Sequence, residues 1–121
     1  MSAFRPLAEI APRPIWNGTV ARVVNGKEIT FAVVELDPFA VVAPHQHPNE
    51  QLGIVLKGLL TFTIGGETRD LRPGDTYEIP ANVLHDAKAG PDGAVAIDVF
   101  SPVRADWDRF VPTAPCPPFW P

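Results

Sequence analysis

The chain has 121 residues, 45% of them hydrophobic, and a net charge of −4. This length and apolar content suit one domain with one core, and an acidic chain without a basic run argues against a nucleic-acid partner. No apolar stretch approaches the roughly 20 residues that span a bilayer, MSAFRPLAEI lacks the apolar centre of a signal peptide, and Cys116 stands alone, which rules out an intrachain disulfide, so a soluble cytoplasmic protein is expected.

Short runs rich in Val, Ile, Thr and Phe follow one another along the chain. They are TVARVV (19–24), EITFAVVEL (28–36), AVVA (40–43), QLGIVLK (51–57), LLTFTI (59–64), TRDL (68–71), TYEI (76–79), HDAKA (85–89) and AVAIDVF (94–100). Turn signals separate them: NGK at 25–27, GGE at 65–67, PGD at 73–75 and GPDG at 90–93. Such spacing predicts an all-β sandwich or barrel with six to eight strands. No helical periodicity of useful length precedes residue 104, and RADWDRF is long enough for one turn. One domain is expected over 1–121, with its core at about 15–103 and a Pro-rich tail at 111–121. The segment PTAPCPPFWP holds five prolines in ten residues, so it is extended. Phe119 and Trp120 are expected to dock, since large aromatics are out of place in a free tail.

Chemistry is concentrated in PHQHPNEQ. The chain has three histidines, His45, His47 and His85. In a strand, residues two apart face the same side, so His45 and His47 can share a metal ion. Parity adds Gln51 to that face and turns Glu50 away, provided PNE does not break the phase. A strand returning after the Pro80-Ala81-Asn82 turn brings His85 to the same point.

These residues resemble the two cupin motifs. His45, Gln46, His47, three residues, Gln51, six residues and Gly58 match the first. Gly74, five residues, Pro80, Ala81, Asn82, two residues and His85 match the second, and fifteen residues separate the two glycines. The resemblance covers about 43–100 and implies a cupin double-stranded β-helix, or jelly-roll barrel. Phe39 stands where the first motif usually opens with Gly, Ala89 where the second often ends with Asn, and Gln51 where the usual ligand is Glu. Three neutral imidazoles and an amide leave a divalent site at about +2 where a Glu would leave about +1. That favours anionic ligands and a stronger Lewis acid, and it gives less support to an oxidised metal.

The remaining pocket candidates follow the second motif. Asp98 is the one acidic residue of AVAIDVF, which is apolar on both faces and therefore expected to be buried on both. A buried carboxylate needs a partner or a proton; it is either a general acid/base near the metal or a structural group paired with an arginine. Arg104 is either a fork for a carboxylate ligand or a surface residue. Trp16, Arg22 and Tyr77 are further candidates to line the barrel, with packing or surface the preferred reading of each, and Cys116 reads as inert. The row Leu52, Ile54, Leu56 presents an apolar outer face, which suggests a homodimer.

The sequence Asp98-Val-Phe100-Ser-Pro-Val-Arg104, with Gln51, is similar to one cupin branch, the pectin-degradation cupins that act on 4,5-unsaturated monouronates. The resemblance implies a metal-dependent isomerase or lyase that turns the cyclic uronate into its linear keto form. It further implies one divalent ion (nickel, zinc, manganese or iron) on His45, His47, Gln51 and His85, proton transfer by Asp98, a pocket shaped by Phe100 and a substrate carboxylate on Arg104. The competing readings are an iron-dependent cupin dioxygenase acting on a small diketone or phenolic compound, and a small-molecule-binding cupin without turnover.

Overall fold

Two long strands that bend together organise the molecule. The computed structural model describes residues 2–121; Met1, where the expected domain begins, lies outside the described residues. The strands are β1 (Arg13–Trp16), β2 (Thr19–Asn25), β3 (Thr30–Leu36), β4 (Val41–His45), β5 (Glu50–Ile64), β6 (Glu67–Leu71), β7 (Thr76–Ile79) and β8 (His85–Ser101). β5 and β8 run antiparallel, with Gln51 opposite Phe100 at one end and Ile64 opposite His85 at the other. The first part of β5 and the second part of β8 pair with β7 and β3, and β2 and β1 extend that layer. The other halves pair with β6 and β4 and form the facing layer. The protein is all-β, with the jelly-roll arrangement that the strand spacing implied.

Two expected breaks are bends instead. QLGIVLK and LLTFTI are one strand, β5, and HDAKA, GPDG and AVAIDVF are one strand, β8. Gly58 (φ 79°) and Gly93 (φ 75°) lie against each other at the corner, where a Cβ on Gly58 would overlap the Gly93 carbonyl. Bulges between Val55 and Lys57 and between Gly58 and Leu60 add curvature. The ladder is interrupted at the corner, where residues 90–93 of β8 have no partner on β5, and resumes at Leu60 opposite Ala89. β1 has no counterpart among the expected elements. Pro14 speaks against a strand, but β1 is the sheet's edge, where proline is tolerated.

The space between the layers is filled from both. Val34, Val55, Leu60, Phe62, Tyr77, Ile79, Ala96 and Phe100 belong to one buried cluster. RADWDRF forms a 3-10 turn, Ala105–Arg109, and its Trp107 joins that cluster. On the outer face Leu52 is exposed and Ile54 and Leu56 are half-buried, with Leu56 inside a bulge. Val95 is buried, while Ile97 and Val99 are only half-buried, so β8 is less enclosed than its composition implied.

The tail is extended and strapped to the barrel by an ion pair. Arg22, read from sequence as packing or surface, is buried and bridges Glu35 at 3.0 Å. It also donates to the carbonyls of Ile10 (3.0 Å) and Cys116 (2.9 Å). Glu35 Oε2 accepts the Phe119 backbone N–H at 2.6 Å. Trp120 is half-buried, as docking required, but the Phe119 ring stays 68% exposed. No helix among the described residues is long and apolar enough to cross a membrane.

Candidate metal centre and pocket

His45 ends β4 and His85 opens β8, directly opposite each other in the ladder. Their ring centroids are 4.2 Å apart. His47 is not on the strand with His45. The chain leaves β4 after His45, and residues 46–49 form a connection before β5 begins at Glu50. The strand does not run on through PNE, the condition on which the parity argument rested, yet the residues still converge. His47 is turned inward because its Nδ1 is held at 3.0 Å by the Asn49 carbonyl, and Asn49 is itself buried, donating to the Pro102 carbonyl at 2.6 Å. Its ring lies 4.9 Å from that of His85. β5 then starts in a phase that buries Gln51 and exposes Glu50.

The same interaction fixes all three tautomers. His45 Nδ1 meets the Ala43 carbonyl at 2.7 Å, and His85 Nδ1 meets the Val83 carbonyl at 2.9 Å. A carbonyl only accepts, so each Nδ1 carries a proton, and in the neutral ring Nε2 is the nitrogen that presents a lone pair. One ring nitrogen from each histidine lies within 4.8 Å of the others. Burial lowers the pKa of His47, helped by the charge of Arg104, and burial takes His85 down to about 4. All of this keeps these two imidazoles neutral, the form that binds metal.

Gln51 supplies the fit test. Its Nε2 donates to Asp98 Oδ1 at 2.9 Å, which turns Oε1 toward His47 Nε2 at 3.1 Å. With His47 neutral, that contact sets one lone pair against another. A cation between the amide oxygen and the three imidazoles relieves it, so the residues present fit a divalent ion.

Asp98 is buried on β8 and has no arginine partner: among the described residues its side chain bonds to Gln51 and to Tyr77, whose hydroxyl donates to Oδ1 at 2.5 Å. Burial raises the Asp98 pKa, against the two hydrogen bonds and the charge of Arg104. Burial and the neighbouring Asp98 push the Tyr77 hydroxyl well above its usual range, so it remains a donor. Arg104 is buried rather than a surface residue. Its guanidinium lies 4.8 Å from the Phe100 ring centroid and 4.4 Å from that of Trp107. Nε and Nη2 both contact Asp106 at 3.0 Å, which lowers the Asp106 pKa. Nη1 has no hydrogen-bond partner among the described residues.

These groups share one cavity of about 380 Å³, within the usual size for a small-molecule site. Trp16 lines it, 5.1 Å from the His45 ring. Tyr77 lines it too, opposite Gly53 in the ladder, so both residues take the barrel-lining place that stood second to packing or surface in the sequence reading. Cys116 is exposed in the tail and does not line this cavity.

Fold, motif spacing and histidine geometry define a cupin. The Cupin domain family matches residues 32–100, and the chain belongs to that family. Within it, the similarity runs to the KdgF branch. The pectin degradation protein KdgF of Dickeya dadantii (strain 3937) is 39% identical over 81 residues, which span 66% of this chain and 74% of that protein. The structure of KdgF from Halomonas sp. superposes with a TM-score of 0.80 at 31% identity, covering 88% of this chain and 98% of that one. An RmlC-like cupin from Shewanella frigidimarina gives a TM-score of 0.82 at 26% identity, over 88% and 96% of the two chains.

Proposed function

We propose that the protein is a metal-dependent cupin that opens and ketonises a 4,5-unsaturated monouronate. The observation that carries this reading is the continuous line His47–Gln51–Asp98, which puts a buried carboxyl group one hydrogen bond behind an amide that faces the histidine cluster. The similarity to the pectin degradation protein KdgF of Dickeya dadantii supports a uronate as the substrate class.

His45, His47 and His85 through Nε2, and Gln51 through Oε1, would hold one divalent ion: nickel, zinc, manganese or iron. Such an ion supplies a Lewis acid that polarises a substrate oxygen. Proton transfer falls to Asp98. Its Oδ1 is occupied by Gln51 and Tyr77, so Oδ2 is the reacting atom. It takes the proton of the substrate's hemiacetal hydroxyl. The C1–O bond to the ring oxygen breaks as the aldehyde forms, and the ring oxygen departs as an enolate on C5. The enolate becomes the C5 ketone as C4 takes the proton back from Asp98. Protons balance, and the step is an isomerisation. Phe100 walls the pocket between His47 and Arg104. Arg104 offers Nη1 to the substrate carboxylate, its other two nitrogens being engaged by Asp106.

On this reading the partner is a small anionic sugar acid. The apolar Leu52 and Ile54 face supports a homodimer. The test is ultraviolet absorbance of the conjugated double bond of a 4,5-unsaturated monouronate. The purified, metal-loaded protein should speed its loss without oxygen uptake. No acceleration, together with oxygen uptake on a diketone or phenolic compound after Fe(II) addition, would replace this reading with a dioxygenase.

A further inference from the structure

One buried tyrosine reaches the metal centre only through other residues. Tyr77 on β7, Gly53 on β5 and Asp98 on β8 are consecutive partners along one rung of the sheet. The tyrosine ring crosses over Gly53, where a Cβ would overlap ring atoms and the hydroxyl oxygen. Phe62 packs on the ring at 4.7 Å between centroids. Held this way, the hydroxyl meets Asp98 Oδ1 at 2.5 Å, and the same oxygen accepts Gln51 Nε2 at 2.9 Å.

We propose that Tyr77 is a positioning residue that fixes the Gln51 carboxamide with its oxygen toward the three histidines. This rests on the metal reading above. A carboxamide has two faces of similar shape, one oxygen and one NH₂. Turned over, Gln51 would point its NH₂ at the imidazole lone pairs' ion and lose a ligand. Asp98 prevents this by demanding a donor from Gln51. The carboxylate in turn is kept from swivelling because Tyr77 pins the same oxygen and leaves Oδ2 open. Gly53 belongs to the device, since it makes room for the ring. Partners that orient a ligand in this way typically govern metal affinity by about 10–100-fold.

The test is Co(II) binding to metal-free protein, read by visible absorption and calorimetry, for wild type, Tyr77→Phe and Gly53→Ala. Tyr77→Phe removes only the hydroxyl and keeps the ring on Phe62. It should weaken Co(II) binding about tenfold or more and change the Co(II) spectrum. Gly53→Ala should do the same by displacing the ring, and it carries the comparison if the Phe variant does not fold. A lower melting temperature with a Co(II) affinity within about twofold of wild type overturns the positioning role and leaves Tyr77 a packing residue. Wild-type protein that binds no Co(II) overturns the metal reading and this inference together. Wild type that binds Co(II) but leaves the uronate untouched overturns only the substrate, and the Co(II) comparison still decides the role of Tyr77.

Discussion

Asp98→Asn separates a proton carrier from a structural carboxylate. Asn can keep Oδ1 where it accepts from Gln51 and Tyr77, with NH₂ in place of Oδ2. The fold and the metal site should therefore survive, while the atom proposed to exchange protons is gone. Loss of a general acid/base costs about 10²–10⁴ in rate, or roughly 3–5 kcal/mol on the barrier. Stability should move the other way. In metal-free protein burial raises the Asp98 pKa above its unfolded value near 3.9, so the folded state holds its proton longer than the unfolded state does. Below about pH 4 both states are protonated and nothing is lost; as pH rises toward the folded pKa, each pH unit costs about 1.4 kcal/mol. Asn does not ionise. The melting temperature of Asp98→Asn relative to wild type should thus climb with pH across that window, by about 4 °C per kcal/mol for a domain of this size. Turnover of the uronate and thermal melts from pH 4 upward are the assays. A variant that melts lower than wild type at every pH, with unchanged activity in its folded fraction, would refute the argument.

Other substitutions address the rest of the site and the tail. Gln51→Ala should cut metal affinity at least about tenfold and Glu50→Ala should not, because Glu50 is exposed; elemental analysis of the purified variants checks both. Arg104→Lys should raise KM for the uronate about tenfold with a smaller change in kcat, since an ammonium neither stacks between Phe100 and Trp107 nor holds Asp106 at two points; an unchanged KM would remove Arg104 from substrate binding. Glu35→Gln leaves Arg22 buried without its counter-charge, which should cost about 3–5 kcal/mol. That corresponds to a fall of about 12–20 °C in Tm, with faster proteolysis of the tail that Glu35 holds through Phe119; a fall under about 3 °C would mean that the tail and not the ion pair carries this contact. Sedimentation that shows only the 13.1 kDa species at micromolar concentration would exclude the homodimer.

What the sequence revealed and what it hid divide along a physical line. Local rules read well: alternation, turn residues and histidine spacing pointed to the β architecture, and parity picked Gln51 over Glu50. Parity turns Gln51 inward and Glu50 outward, and the structure buries the first and exposes the second although the strand does not run through, because β5 begins afresh at Glu50 after a connection that restores the phase. Glycine misled at 58 and at 90–93. In one strand alone a positive φ ends regular structure, but here the neighbour bends at the same rung, and that coincidence is visible only once Gly58 is paired with Ala94.

Cross-strand chemistry was hidden for the same reason. The charge argument from Gln51 counted a site without a carboxylate, yet the acid has been moved back rather than removed. Asp98 stands one hydrogen bond behind the amide, 47 residues away in sequence, and Tyr77 stands behind Asp98. The carboxylate therefore still biases the cluster toward cations through the amide it polarises, while Oδ2 stays free to meet a proton. A Glu at position 51 would place its own charge beside that of Asp98, and two carboxylates so close share a proton. The amide is what allows a candidate metal ligand and an ionisable acid to occupy adjacent positions in one buried pocket.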